Sequence, residues 1–200
     1  NSVRTGIGTL TNSPIFPDSP TFREQLDDFS TLPGIPLRAG LQGKDNSGAD
    51  YGSYIRGYLE APATGTYLFN IASDDNSALF LSTDSTPAHL VQVASEPVWN
   101  GRRDWLGTAR RNAAAPENRS ATLFPDGIEL AAGQMYYFEA LMKEGGGGDN
   151  LAFTWQLPGE AQPESGSAAL SGVYMSSLVD PTGAGIQITQ QPTDQTNVLI

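Results

Sequence analysis

The feature that most constrains this chain is strict two-residue alternation over its later segments. Leu151, Phe153, Trp155 and Leu157 are separated by Ala152, Thr154 and Gln156. Tyr136, Phe138, Ala140 and Met142 repeat the pattern, as do Tyr67, Phe69 and Ile71 around Leu68 and Asn70, after the turn Ala63-Thr64-Gly65. Successive side chains of a strand point to opposite faces, so this period predicts half-buried antiparallel strands. Leu79 and Leu81, then His89 to Val93, extend the series, and Gly, Pro, Asn and Asp turns separate the runs. The expected fold is all-β, a twisted antiparallel sandwich with long loops and at most one or two short helices. The best helical candidate runs from Ser19 to Phe29, with Pro20 suited to a helix start and Phe22, Leu26 and Phe29 at helical spacing.

Charge and cysteine content limit what such a sandwich does. Among 200 residues, 22 Asp plus Glu stand against 11 Lys plus Arg, a formal net charge of −11. That surface repels phosphate backbones and argues against nucleic-acid binding. No apolar run is long enough to insert into a membrane. The absence of cysteine removes disulfides, zinc–thiolate sites and a cysteine nucleophile, and the single histidine leaves a serine triad only His89 as its base. A β-domain of this length holds together without staples, so an extracellular setting, secreted or cell-surface, stays open.

Residues 99–120 stand apart as a polar stretch with five basic residues, Arg102, Arg103, Arg110, Arg111 and Arg119, beside Trp99 and Trp105. A loop of this length in a compact domain is usually functional or disordered. The chain opens at Asn1 without a leader-like segment, and residues 181–200 read as a linker followed by the first strand of another domain. The expectation is a domain over 1–180, monomeric in isolation, cut from a longer modular protein.

Two acidic segments carry the chemistry. Ser73-Asp74-Asp75-Asn76 follows one strand, and Glu144, four glycines, Asp149 and Asn150 precede another. Both offer oxygen ligands alone, which suits a hard cation and above all Ca²⁺. Adjacent strand residues face opposite ways, so Asp74 and Asp75 grip one ion only through a sharp turn or a cis peptide. Two adjacent carboxylates also repel until a cation neutralises them. The glycines let the backbone turn and aim carbonyls inward, and the flanking Glu144 and Asp149 favour a cation over a phosphate. Each segment also reads as an ordinary turn or hairpin tip. They form one site only if the fold brings them together.

The surrounding sequence resembles a known family. Tyr51 to Leu59, Pro62, Thr64 to Phe69 and Ala72 to Ser82 look like the signature half of the protective-antigen-type (PA14) domain; Leu130 to Ala140, Lys143 to Leu151 and Trp155 to Pro158 match its second half. The match covers roughly residues 1–178. This β-sandwich module occurs in bacterial adhesins, yeast flocculins, glycosidases, proteases and toxins. In its lectin-like members a cis-linked Asp pair holds a Ca²⁺ whose free positions bind sugar hydroxyls. The resemblance therefore implies a metal site at Asp74 and Asp75, completed by Glu144, Asp149 and the carbonyls of Gly146, Gly147 and Gly148, with Asp149 the first choice among the loop side chains. It further implies a ligand-binding surface of Asp74, Asp75 and Asn150, with Trp99 or Trp105 stacking on a sugar and Arg103 donating hydrogen bonds. Both tryptophans are equally compatible with partial burial under the loop.

The expected function is calcium-dependent carbohydrate binding within a secreted or surface adhesin, bacterial in character, with glycans or simple sugars as partners. The alternatives are a structural spacer rigidified by calcium and an accessory binding domain of a larger secreted glycoside hydrolase. Catalysis is not expected. A glycosidase needs two carboxyls flanking a bond, about 5–5.5 Å or about 6.5–9.5 Å apart, whereas Asp74 and Asp75 would share a metal. No nucleophile elbow lies near His89. Arg56, Glu129 and Glu139 read as solvated strand-face charges, and Asn118-Arg119-Ser120 is a glycosylation sequon.

Overall fold

The computed structural model describes residues 6–20, 30–31 and 50–177. The helix expected up to Phe29, beyond Pro20, and the linker at 181–200 lie outside these residues. A short helix α1 (Ile7–Thr11) precedes nine strands: β1 (Ser30–Thr31), β2 (Tyr51–Glu60), β3 (Gly65–Asp74), β4 (Asn76–Leu81), β5 (Val91–Glu96), β6 (Ile128–Leu130), β7 (Met135–Glu144), β8 (Asn150–Gln156) and β9 (Met175–Ser177). They form two sheets, ordered β1-β8-β3-β6 and β5-β4-β7-β2-β9, and every pairing is antiparallel. The protein is an all-β sandwich.

The alternation seen in the sequence builds the core between the sheets. Tyr67, Phe69 and Ile71 of β3 and Leu151, Phe153 and Trp155 of β8 meet Leu79 and Leu81 of β4 and Phe138, Ala140 and Met142 of β7 in one buried cluster. Phe138 and Phe153 cross the gap between sheets edge to face, with centroids 5.5 Å apart. Burying aromatic and branched side chains of this size is worth roughly 1.5–3 kcal/mol each.

Half-burial fails for β3 and β8. Their outward residues Asn70, Ala72, Ala152 and Thr154 are also buried, because the 99–120 segment folds over that face. Its carbonyls pair with core strands: Asn118 accepts from Ile71 N at 2.9 Å and Glu117 from Ser95 N at 2.8 Å, while Ser120 Oγ accepts from Phe69 N at 2.8 Å. The arginine-rich stretch is thus a third layer over one sheet. The strand expected from His89 starts later, at Val91, because Pro87 to His89 form a 3₁₀ turn; proline at the front of that turn fixes a helical φ. His89 ends the turn exposed, with Nδ1 2.7 Å from Asp84 Oδ2.

Candidate metal centre

The two acidic segments are the two places where the chain passes between sheets at one end of the sandwich. β3 belongs to one sheet and β4 to the other, and Asp75 alone separates them. β7 and β8 are likewise in different sheets, joined by residues 145–149. Register then aligns the crossovers, with Asp74 opposite Asn150 and Asn76 opposite Lys143, next to Glu144. The Asp74–Asp75 peptide bond is cis, as the family resemblance implies. Gly146 and Gly147 adopt φ of 149° and 119°, values that residues with a Cβ rarely take.

Carboxylate oxygens of Asp74, Asp75 and Glu144 all lie within 4.8 Å of one another, a group that can hold a metal ion. Asp75 N donates to Glu144 Oε2 at 3.0 Å, and Gly145 N donates to Asp75 Oδ2 at 2.9 Å, so each crossover is tied to the other. Ser73 Oγ donates to the Asp75 carbonyl at 2.6 Å and fixes the turn from behind. Glu144 is fully buried, whereas Asp74 and Asp75 are half-buried. Burial, then the Asp75 charge, pushes the Glu144 carboxyl up to about 7. Burial, then Asp75 and Asp149, raises Asp74 to about 6, and the Arg110 charge opposes that rise.

The donor set fits a hard cation. All the converging groups are oxygens, and two buried oxygens of the centre, Glu144 Oε1 and Asn150 Oδ1, have no hydrogen-bond partner. A buried acceptor left unmatched costs about 1–3 kcal/mol, which a bound ion relieves. Asn150 is aimed by its amide nitrogen, which donates to the Asn100 carbonyl at 3.2 Å. Asp149 is not one of the three grouped carboxylates, and its Oδ2 accepts from Tyr51 OH at 3.3 Å. Its charge still acts on Asp74.

Residues 99–120 divide into a buried and an exposed part. Trp105 is completely buried against Ala72 and Ala152, with Nε1 donating to Ser167 Oγ at 3.1 Å. It therefore presents no face to a ligand, which corrects its expected stacking role: the indole fills the gap between this segment and the outer face of β3 and β8. Trp99 retains 36% exposure and its backbone bridges to Asp74. Asn100 N donates to the Ser73 carbonyl at 2.6 Å, fixing Trp99 at the rim of the acidic centre. Arg103 sits in a left-handed turn, φ 52°, and its carbonyl accepts from Gly166 N at 2.8 Å. The guanidinium that acts on Asp74 and covers the Trp99 ring is that of Arg110, 3.0 Å from the ring centroid. Sequence reasoning missed Arg110 and Tyr51, since neither has a periodic or spacing signal.

The family model of the PA14 domain matches residues 16–169. The mouse N-acetyl-beta-glucosaminyl-glycoprotein 4-beta-N-acetylgalactosaminyltransferase 1 is 32% identical over 117 residues, 55% of this chain; the chain spans about 10% of that relative's length. Among solved structures, the epithelial adhesin 9 A domain of Candida glabrata, in complex with Galb1-3GlcNAc, is 12% identical with a TM-score of 0.44, covering 66% of this chain and 54% of that one. The PA14 domain of the MpAFP antifreeze protein is 18% identical with a TM-score of 0.34, covering 63% and 51%.

Proposed function

This chain belongs to the PA14 domain family, and from that premise we propose that it is a calcium-dependent carbohydrate-binding module without catalytic activity, working outside the cell. The observation that carries the proposal is the convergence of Asp74, Asp75 and Glu144 at one end of the sandwich, beside the unpartnered oxygens of Glu144 and Asn150. Ca²⁺ takes six to eight oxygens from carboxylates, carbonyls and water in flexible geometry. Asp74, Asp75, Glu144 and Asn150 Oδ1 supply protein ligands, with carbonyls of Gly146 to Gly148 available from the exposed loop. Waters complete the sphere on the open side, where Asp74 and Asp75 are half-exposed, and vicinal sugar hydroxyls can replace them.

Catalysis draws no support from this arrangement, because the carboxylates converge on one point instead of flanking a bond. His89 is committed to Asp84, and the Ser82 and Thr86 hydroxyls donate to that same carboxylate. The expected setting is a longer extracellular protein in which this domain supplies binding.

The test is glycan-array binding of labelled protein in Ca²⁺ and again in EDTA. Saccharide binding that disappears with EDTA and returns with Ca²⁺ supports the proposal; binding that persists in EDTA overturns the mechanism. A spacer, in which the ion only joins the two crossovers, draws support from the complete burial of Glu144. It predicts a Ca²⁺-raised Tm with no saccharide bound under either condition.

A further inference from the structure

Trp99 is the exposed aromatic at the acidic centre, yet one face of its indole is taken. The Arg110 guanidinium lies over the ring with Cζ 3.0 Å from the centroid, which leaves no space for a ligand on that side. Arg110 is itself an exposed residue, and a cation–π contact at an exposed site is a weak hold. What else favours this position is the field of the carboxylates. Trp99 bridges to Asp74 through its backbone, and the Arg110 charge acts on the Asp74 carboxylate, so the cation seated on the Trp99 ring lies beside the Asp74 edge of the acidic cluster. In the metal-free protein that cluster attracts the guanidinium. A divalent ion among the carboxylates replaces the attraction with repulsion between like charges, and only the ring contact remains.

We propose that Arg110 is a cap on Trp99 that a cation at the Asp74–Asp75–Glu144 centre displaces, so that the indole face opens to a ligand only when the metal is in place. This rests on the cation reading of the centre given above. Arg110 is then a positioning residue that couples metal occupancy to an aromatic binding surface, and neither ion nor indole alone makes the complete site. The open face would take the C–H face of a saccharide ring whose hydroxyls reach the ion.

Tryptophan fluorescence tests this without any saccharide. Of the three tryptophans, Trp105 and Trp155 are 0% and 7% exposed against 36% for Trp99, so acrylamide quenching reports mainly Trp99. Calorimetric titration with Ca²⁺ on the same samples measures metal uptake. The expected result is a low Stern–Volmer constant in chelator-treated wild type that rises on Ca²⁺ addition to the value of Arg110→Ala. The variant should bind Ca²⁺ yet show no change on metal addition, and Trp99→Phe should lose the response. Ca²⁺ uptake with unchanged or reduced quenching overturns the cap, as does equal quenching of metal-free wild type and Arg110→Ala. Absence of Ca²⁺ uptake defeats the cation reading itself, and the cap with it.

Discussion

At the scale of single residues, burial and the neighbouring carboxylates push the Asp74 carboxyl up to about 6 and the Glu144 carboxyl up to about 7, against ordinary values of 3.8 and 4.5. Between those values the folded state holds protons that the unfolded chain has released, so stability falls as pH rises. Chelator-treated protein should therefore lose Tm as pH climbs from about 4 to about 7, followed by thermal denaturation across that range. Ca²⁺ competes with the same protons, so its affinity should rise over the same window and saturating Ca²⁺ should flatten the profile. Asp75→Ala removes a carboxylate that faces both Asp74 and Glu144. It should abolish Ca²⁺ uptake in calorimetry while leaving the circular dichroism of the sandwich unchanged. A third residue-level outcome concerns Asn118, which is fully buried with Nδ2 donating to the Trp105 carbonyl at 3.1 Å. Expressed in a glycosylating host, the folded protein should carry no glycan there, as mass spectrometry of tryptic peptides would show.

At the scale of elements, the 99–120 segment is held by buried charge as well as by Trp105. The Arg111 guanidinium pairs with Glu96 on β5, and both side chains are essentially inaccessible. Burial lowers the Arg111 pKa, and the Glu117 charge opposes the change. Glu96→Gln removes the charge paired directly with a buried guanidinium and leaves it only the Glu117 charge, a class of change that costs about 3–5 kcal/mol. The expected result is that loss in urea unfolding, with the β-sheet spectrum retained. Trp105→Ala empties a site lined by Ala72, Ala152 and the partly buried Ala169. It should cost a further ~3–5 kcal/mol by itself. Because Trp99 is fixed to β3 through Asn100, both changes should also weaken the placement of the Trp99–Arg110 pair.

At the scale of the whole molecule, one end of the sandwich depends on two chain crossovers that meet. An ion shared between them binds the folded state and not the open chain, so it stabilises by mass action, about 2.7 kcal/mol at a hundredfold excess over Kd. Calorimetric scanning should show a Ca²⁺-dependent rise in Tm that EDTA removes and that Asp75→Ala lacks. The opposite end of the domain, where Gly133 N donates to the Ala61 carbonyl, should be indifferent to calcium by hydrogen exchange. The exchange signature of the ion belongs to Ser73–Asn76 and Glu144–Asn150.

The sequence by itself determined which residues face the core, because strand periodicity is local: β3, β7 and β8 show their inward sets in the spacing of Tyr67, Phe138 and Phe153. The turn chemistry of Asp74-Asp75 and of the glycine run was equally local, so candidate oxygen ligands were visible before any fold. Only the tertiary structure decided which of them converge. That depends on register between strands seventy residues apart, which placed Glu144 against Asp75 and left Asp149 to Tyr51. Burial of Glu96 and Arg111 was invisible for a related reason, and burial of Trp105 stood only as one of two readings. Residues 99–120 are covered by packing against β3, β5 and β8, and a non-periodic loop records nothing of that packing. The same contacts put Arg110 on Trp99, a juxtaposition that depends on how a long loop returns across a sheet.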